Sequence, residues 1–214
     1  THAMPGQIRT TQNWIGGASP STARYVPPPP SELGRAISDL EHFLHGDAIP
    51  SALLRAGLAH AQFETLHPFA DGNGRTGRLL ITFYLCQQGI LHRPVLYLSE
   101  FFKRNRDLYF DALHAYHQKG AVMEWLSLFL EGVIEVATSA TNTCRQVTQL
   151  RDRDMARVAS LGRAAPSATN ALLTLFRQPI VSVSTIEREV RINRANANKL
   201  VDRLVAVGIL QPTD

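Results

Sequence analysis

Residues 67 to 78 read His67-Pro68-Phe69-Ala70-Asp71-Gly72-Asn73-Gly74-Arg75-Thr76-Gly77-Arg78. An imidazole takes a proton near neutral pH, and a carboxylate can hold a hard divalent cation such as Mg²⁺. A turn of small residues leaves backbone N–H groups free to face phosphate oxygens. Two arginines can fork onto those oxygens. Each group therefore suits a different part of a nucleoside triphosphate reaction, and no other stretch of the chain concentrates chemistry in this way.

The elements on either side must position these groups. Leu54, Leu58, Ala61 and Phe63 recur along 51 to 66 at helical spacing, and Pro68 disfavours helix at His67. The imidazole is thus expected at or just past a helix end. After Gly74, Leu79 to Cys86 is apolar nearly all round and predicts a central buried helix closed by Gly89. A helix start offers unpaired N–H groups and a positive dipole end, where phosphate oxygens bind. Gly72 and Gly74 permit close approach of the backbone. Asn73 tolerates a left-handed conformation and can bond locally to fix the turn. Arg75 and Arg78, three apart, project from one side toward the same anion.

Elsewhere the pattern is mainly helical. Residues 6 to 17 alternate Thr with β-branched and aromatic residues before two glycines, which predicts a short strand or hairpin. Four prolines, 27 to 30, form an extended spacer. A helix with a Ser cap at Ser31 follows and stops at Gly46; another, capped by Ser99, runs to about Gln118. A long one extends from Met123 to about Ser160. Gly162 to Pro166 reads as a linker. The tail holds a helix over 168 to 176, a short one over 184 to 190, and a basic one from Arg194 to Val207 capped by Asn193. It ends in Gly208-Ile209-Leu210, an order that resembles a winged helix-turn-helix. The body is all-α, with one domain over 1 to 160 and a second over 161 to 214.

Composition bounds the possibilities. The 214 residues are 44% hydrophobic and 19% charged, as in a globular protein with a real core. No apolar run is long enough to span a bilayer and no signal pattern opens the chain, so no membrane partner is expected and the location is read as cytoplasmic. Cys86 and Cys144 read as reduced, buried thiols. The net charge of +4 does not demand nucleic acid. The tail from 163 carries seven Arg/Lys against four acids, either a DNA contact or a solvated face. His42-x-x-His45 and His114-x-x-His117 have helical spacing without further ligands nearby, and read as surface or capping residues.

The twelve residues from His67 match, at every position, the signature His-x-Phe-x-(Asp/Glu)-Gly-Asn-Gly-Arg-x-x-Arg of the Fic family. Arg9 to Gly16 resembles the family's strand hairpin, or flap, here about 8 to 17. Tyr97 to Phe110 and Trp125 to Gly132 resemble its later core helices. The resemblance implies a helical Fic core with a β-hairpin flap, followed by the winged helix, and Mg²⁺-dependent transfer of AMP from ATP to a Ser, Thr or Tyr hydroxyl of a target protein. His67 would be the general base and Asp71 the Mg²⁺ ligand. Gly72, Asn73, Gly74, Arg75, Thr76, Gly77 and Arg78 would bind the nucleotide, and Tyr109 would pack on it. Asn13, Trp14, Ile15 and Gly16 would line the opposite wall and clamp the target's extended segment by strand addition. Removal of AMP, or transfer of another nucleotide or phosphate moiety, is the alternative in the same class. A DNA-binding regulator whose core senses nucleotide is the alternative from another class. A homodimer is a further expected partner. Many Fic proteins are restrained by a helix bearing Ser/Thr-x-x-x-Glu-Gly/Asn, whose Glu pairs with the second signature arginine, here Arg78. Ser127 to Gly132 fits that pattern around Glu131, but in a core helix where coincidence is the expected explanation.

Overall fold

Pro30, rather than Ser31, opens the first helix of the computed structural model, which describes residues 6–46 and 49–212. α1 is Pro30–His45, with Pro29 at the N-cap and no side-chain cap. Proline at the first helical position loses no hydrogen bond and arrives with the right φ, so the Ser cap is unnecessary. α2 is Ala52–Leu66, and here Ser51 does cap, accepting from the Leu54 N–H. α3 is Asn73–Gln87. The helix expected from Ser99 to Gln118 is two, α4 (Leu98–Arg104) and α5 (Arg106–Lys119). Asn105 breaks it: its side-chain amide donates to the Phe101 carbonyl at 3.1 Å, beside its own backbone N–H bond to the same oxygen. A side chain bonding the local backbone competes with helix continuation in this way. α6 is Val122–Ala159.

Contacts divide the chain into Thr1–Ala140 and Thr141–Asp214. This division falls inside α6, upstream of the expected boundary at 160, because Met155 and Val158 pack into the second unit's core. Gly162 to Ala164 form a 3-10 turn leading directly into the next helix rather than a loose linker.

The first unit is built on α2. Gly57 lets α6 approach closely, since a Cβ there would lie 2.7 Å from Cδ1 of Phe129. Fully buried Trp125 donates its indole N–H to the Gly57 carbonyl at 2.8 Å, so this polar edge is satisfied inside the core. α3 packs on α2 through Gly77, Ile81, Tyr84 and Leu85, but it is not buried all round: Leu79 and Phe83 are more than half exposed. Cys144 is also exposed rather than buried, in a stretch of α6 (141 to 153) that buries no side chain. No disulfide links it to half-buried Cys86, and both thiols are free.

Among the described residues there is no strand. The segment expected as a hairpin makes two isolated antiparallel bridges, Ile8 with Phe69 and Ile15 with Tyr25. Between Ile15 and Tyr25 the chain turns through Gly16 and Gly17, both at φ +71, and a 3-10 turn at Pro20–Thr22. A Cβ on Gly17 would sit 2.3 Å from the Thr22 carbonyl oxygen, so the loop closes too tightly for a regular ladder.

The second unit holds α7 (Ala165–Leu175), α8 (Val183–Val190) and α9 (Arg194–Ala206) around Leu172, Ile186, Ala197 and Leu204. Asn193 caps α9 by accepting from the Asn196 N–H at 2.9 Å. After Gly208 (φ +70), the Ile209 and Leu210 N–H groups return to the Leu204 carbonyl and both side chains pack on the core. A wing strand is therefore absent among the described residues.

Candidate active site

His67 is the left-handed cap of α2, at φ 45 and ψ 57. Pro68 excludes the helical conformation at this position, and the strained alternative is held by its neighbours. The His67 N–H still closes the helix onto the Phe63 carbonyl at 2.9 Å. Its own carbonyl accepts from Arg9 Nε at 2.9 Å and from the Asn13 amide at 3.3 Å. Buried Arg9 also donates to the carbonyls of Leu66, Pro28 and Thr11. One guanidinium thus ties the N-terminal segment, the proline spacer and the end of α2 together. Burial holds the His67 pKa below the ordinary histidine value, partly offset by the nearby Glu64 backbone, while the Arg9 charge pushes it further down. The ring is neutral at pH 7, the state that can accept a proton.

The loop after His67 is set by Asn73. Its side chain accepts from the Phe69 N–H at 2.8 Å and donates to the Phe69 carbonyl at 2.7 Å. The left-handed residue of the turn is Gly72 (φ 86), not Asn73, which is already the first residue of α3. The first helical bond is Thr76 N–H to the Gly72 carbonyl, so the N–H groups of Asn73, Gly74 and Arg75 have no partner within the helix. Asp71 is exposed at the loop tip, accepting from the Gly72 N–H at 2.6 Å and pairing with Arg75 at 3.4 Å. Arg78 lies along Gly74 and donates from Nε to the Ser99 hydroxyl at 3.1 Å. Ser99 therefore serves Arg78 instead of capping a helix. Arg75 and Arg78 share a groove of about 530 Å³ with Leu79, Phe83 and Tyr97. Thr76 is exposed. Gly77 faces α2, where a Cβ would meet Glu64 Oε1 at 2.7 Å and Phe63 at 3.1 Å, so its absent side chain serves helix packing.

Tyr109 and Glu131, two residues singled out in the sequence, both lie outside the loop at 67 to 78. Tyr109 is 5% exposed in the aromatic core, its hydroxyl 3.0 Å from Nε2 of His60. Glu131 is exposed and makes no ion pair with Arg78, whose partner is Ser99. The adjoining Gly132 has a packing reason, since a Cβ there would lie 2.6 Å from Phe101.

Across from His67, the Ile15–Tyr25 loop is moored to α5. Arg24 pairs with Asp111, and the Tyr25 ring stacks on His117 at 4.3 Å. His117 also bonds the Thr65 hydroxyl at 2.7 Å, which accounts for it without a metal. His42 bonds the Ser38 carbonyl at 2.8 Å within α1. Asn13 and Ile15 are half-buried, while Trp14 and Gly16 are exposed.

Sequence reasoning missed three residues that the fold brings to this centre. Arg9 was visible only as part of a resembling stretch. His60 and Glu64 lie two turns and one turn before His67, and their i, i+4, i+7 spacing with His67 was the available signal. Both are buried. Burial lowers the His60 pKa to about 4, opposed by a bond with the Gly77 backbone and reinforced by the charge of Arg78. Burial raises that of Glu64 to about 7 against the pull of Arg78.

Comparison with known proteins places this geometry. Residues 1–85, which contain the whole 67 to 78 run, match the model of the Fic/DOC family. A protein named "Probable protein adenylyltransferase aq_aa38" in Aquifex aeolicus is 33% identical over 101 residues, 47% of this chain and 29% of that protein. Protein adenylyltransferase Fic of Drosophila grimshawi is 38% identical over 93 residues, 42% of this chain and 17% of that one. The chain thus spans less than a third of the length of these curated relatives. A Fic family protein from Desulfovibrio desulfuricans G20 shares the fold at a TM-score of 0.59 and 20% identity, over 94% of this chain and 56% of that one. The sequence matches support the Fic family.

Proposed function

We propose that this chain transfers AMP from ATP to a Ser, Thr or Tyr hydroxyl of a target protein. The observation that carries the reading is a half-buried, backbone-clamped His67 placed one short loop before a helix start with free N–H groups and two arginines. In this reading the target hydroxyl gives its proton to Nε2 of His67. Its oxygen bonds to the α-phosphorus, and the bond to the β-phosphate breaks with pyrophosphate leaving. The α3 N-terminus, Arg75 and Arg78 face the phosphate charge, and the protein's share of catalysis is positioning and charge neutralisation.

Asp71 is an exposed hard-oxygen donor beside the phosphate-binding turn, and among the described residues no three metal-binding side chains form a cage. One carboxylate completed by phosphate oxygens is the donor set Mg²⁺ accepts, so the residues fit that ion. Bound there, Mg²⁺ would offset the charge of the phosphate oxygens. The segment from Asn13 to Gly16 is assigned to the flap; Ile15 spends its N–H and carbonyl on Arg24 and Tyr25, and an extended target segment would pair with the backbone of Trp14 and Gly16.

Labelled ATP with Mg²⁺ tests the reading: a protein, this chain included, acquires AMP, and His67→Ala abolishes the label. Label persisting in His67→Ala removes the base role, and a mass shift other than that of AMP replaces the transferred group. A second reading concerns the C-terminal unit, because Arg194, Lys199 and Arg203 are exposed on α9, which follows α8 after a short turn. DNA binding that weakens with salt and is lost in Lys199→Ala supports it. None of the described helices is long and apolar enough to cross a membrane.

A further inference from the structure

We infer that Glu64 is the positioning residue for His67: its carboxylate accepts the Nδ1 proton of the imidazole and leaves Nε2 free to take the proton of the target hydroxyl. The inference rests on the AMP-transfer reading for its consequence, and on geometry alone for the contact itself. α2 carries Glu64 in its last turn, three residues before His67, and the left-handed turn at His67 brings Nδ1 to 3.6 Å from Oε2. That separation is beyond a hydrogen bond, yet both groups wait for one. His67 Nδ1 is buried without a partner, and so is Oε1 of the same carboxyl. Catalytic contacts commonly stand open in the free protein and close with substrate.

Nothing in the packing requires a carboxyl here. A buried ionisable group without a full partner costs stability that an apolar residue of similar size would not. The fold nevertheless makes room for it, because residue 77 must lack a Cβ to clear Oε1. The neighbouring cation, Arg78, is bonded to Ser99 rather than to Glu64. His60, on the same face, spends Nε2 on the Tyr109 hydroxyl. The His67 backbone is already fixed from the far side by Arg9 and Asn13, so only side-chain rotation separates the two groups. Once closed, the contact selects the Nδ1–H tautomer and steadies the imidazolium formed when Nε2 takes the proton.

The test is the tautomer of His67, read by NMR on the full chain with ¹⁵N-labelled imidazole at pH 8. In the wild type the proton sits on Nδ1. In Glu64→Gln, whose amide can donate as well as accept, the Nε2–H form gains population. kcat for AMP transfer falls at least about tenfold with the KM for ATP within twofold of wild type. A role confined to packing would change the melting temperature and leave the tautomer alone. If Glu64→Gln does not fold, Glu64→Asp, shorter by one methylene, is judged by the same readout. A wild-type ring protonated on Nε2, or one tautomer in wild type and variant alike, overturns the inference. Absence of AMP transfer from the wild type, with the tautomer shift present, overturns the functional reading and leaves the Glu64 contact standing.

Discussion

Asn73 illustrates how a signature side chain can serve the backbone of its own loop. Its amide is 2% exposed and spends both ends on the backbone of Phe69, which holds the loop that carries Asp71 and Gly72. Truncation strands a donor and an acceptor in a buried setting, at about 1–3 kcal/mol for such groups. Asn73→Ala should therefore lower the unfolding free energy by about 2 kcal/mol in urea titration. It should also weaken ATP binding by calorimetry; a loss under about 0.5 kcal/mol would mean that Phe69 finds other partners. The sequence made Asn73 legible as a turn residue with local bonds. It could not say that the left-handed position belongs to Gly72, because both types tolerate that conformation.

At the scale of elements, the close approaches of helices depend on missing side chains. Gly57 admits the Phe129 ring to α2, and Gly132 admits Phe101 to α6. Gly132→Ala should lower stability by roughly 1–3 kcal/mol in chemical denaturation, the usual cost of forcing an extra carbon into a packed core. Glu131→Gln, next door, should leave AMP transfer within twofold of wild type, since Glu131 is exposed and Arg78 is held by Ser99. A tenfold rise in labelling would instead give Glu131 an inhibitory role. Helix extents were largely readable from periodicity, as α2 and α9 with their Ser51 and Asn193 caps demonstrate. The break at Asn105 was not, because its side-chain bond to Phe101 is a competition between two local geometries of similar energy.

For the whole molecule, buried titratable groups set a pH dependence of stability with opposing signs. His60 has its folded pKa depressed to about 4, so its contribution is present above the unfolded value of 6.5 and is lost as pH falls through 4. His117, lowered to about 4 chiefly by burial and then by the His114 and His67 charges, acts in the same window. Glu64 has its folded pKa raised from 4.5 to about 7, so its contribution is present below pH 4.5 and is lost as pH rises through 7. For fully buried His60 alone the effect is roughly 3 kcal/mol. Thermal melts of the wild type should fall steadily between pH 6.5 and 4. Glu64→Gln should melt higher than wild type at pH 8, with the gain gone by pH 4.5. Equal melts at pH 8 would mean that Glu64 is not ionised in the folded chain.

By itself the sequence determined the helical body and the groups gathered in the loop at 67 to 78, and pointed to the class of chemistry proposed for them. Those depend on interactions within a few residues: a proline that ends a helix, glycines that open a turn, charges spaced to share an anion. Only the tertiary structure decided what stands behind that loop. Arg9 reaches the His67 carbonyl across 58 positions, and Tyr109 meets His60 across 49. Glu64 is near in sequence, yet its value as a partner for His67 arises from burial, to which α3 and α5 contribute. Local spacing can specify which groups are present. Which of them lose water, and therefore which must find each other, depends on how the helices pack.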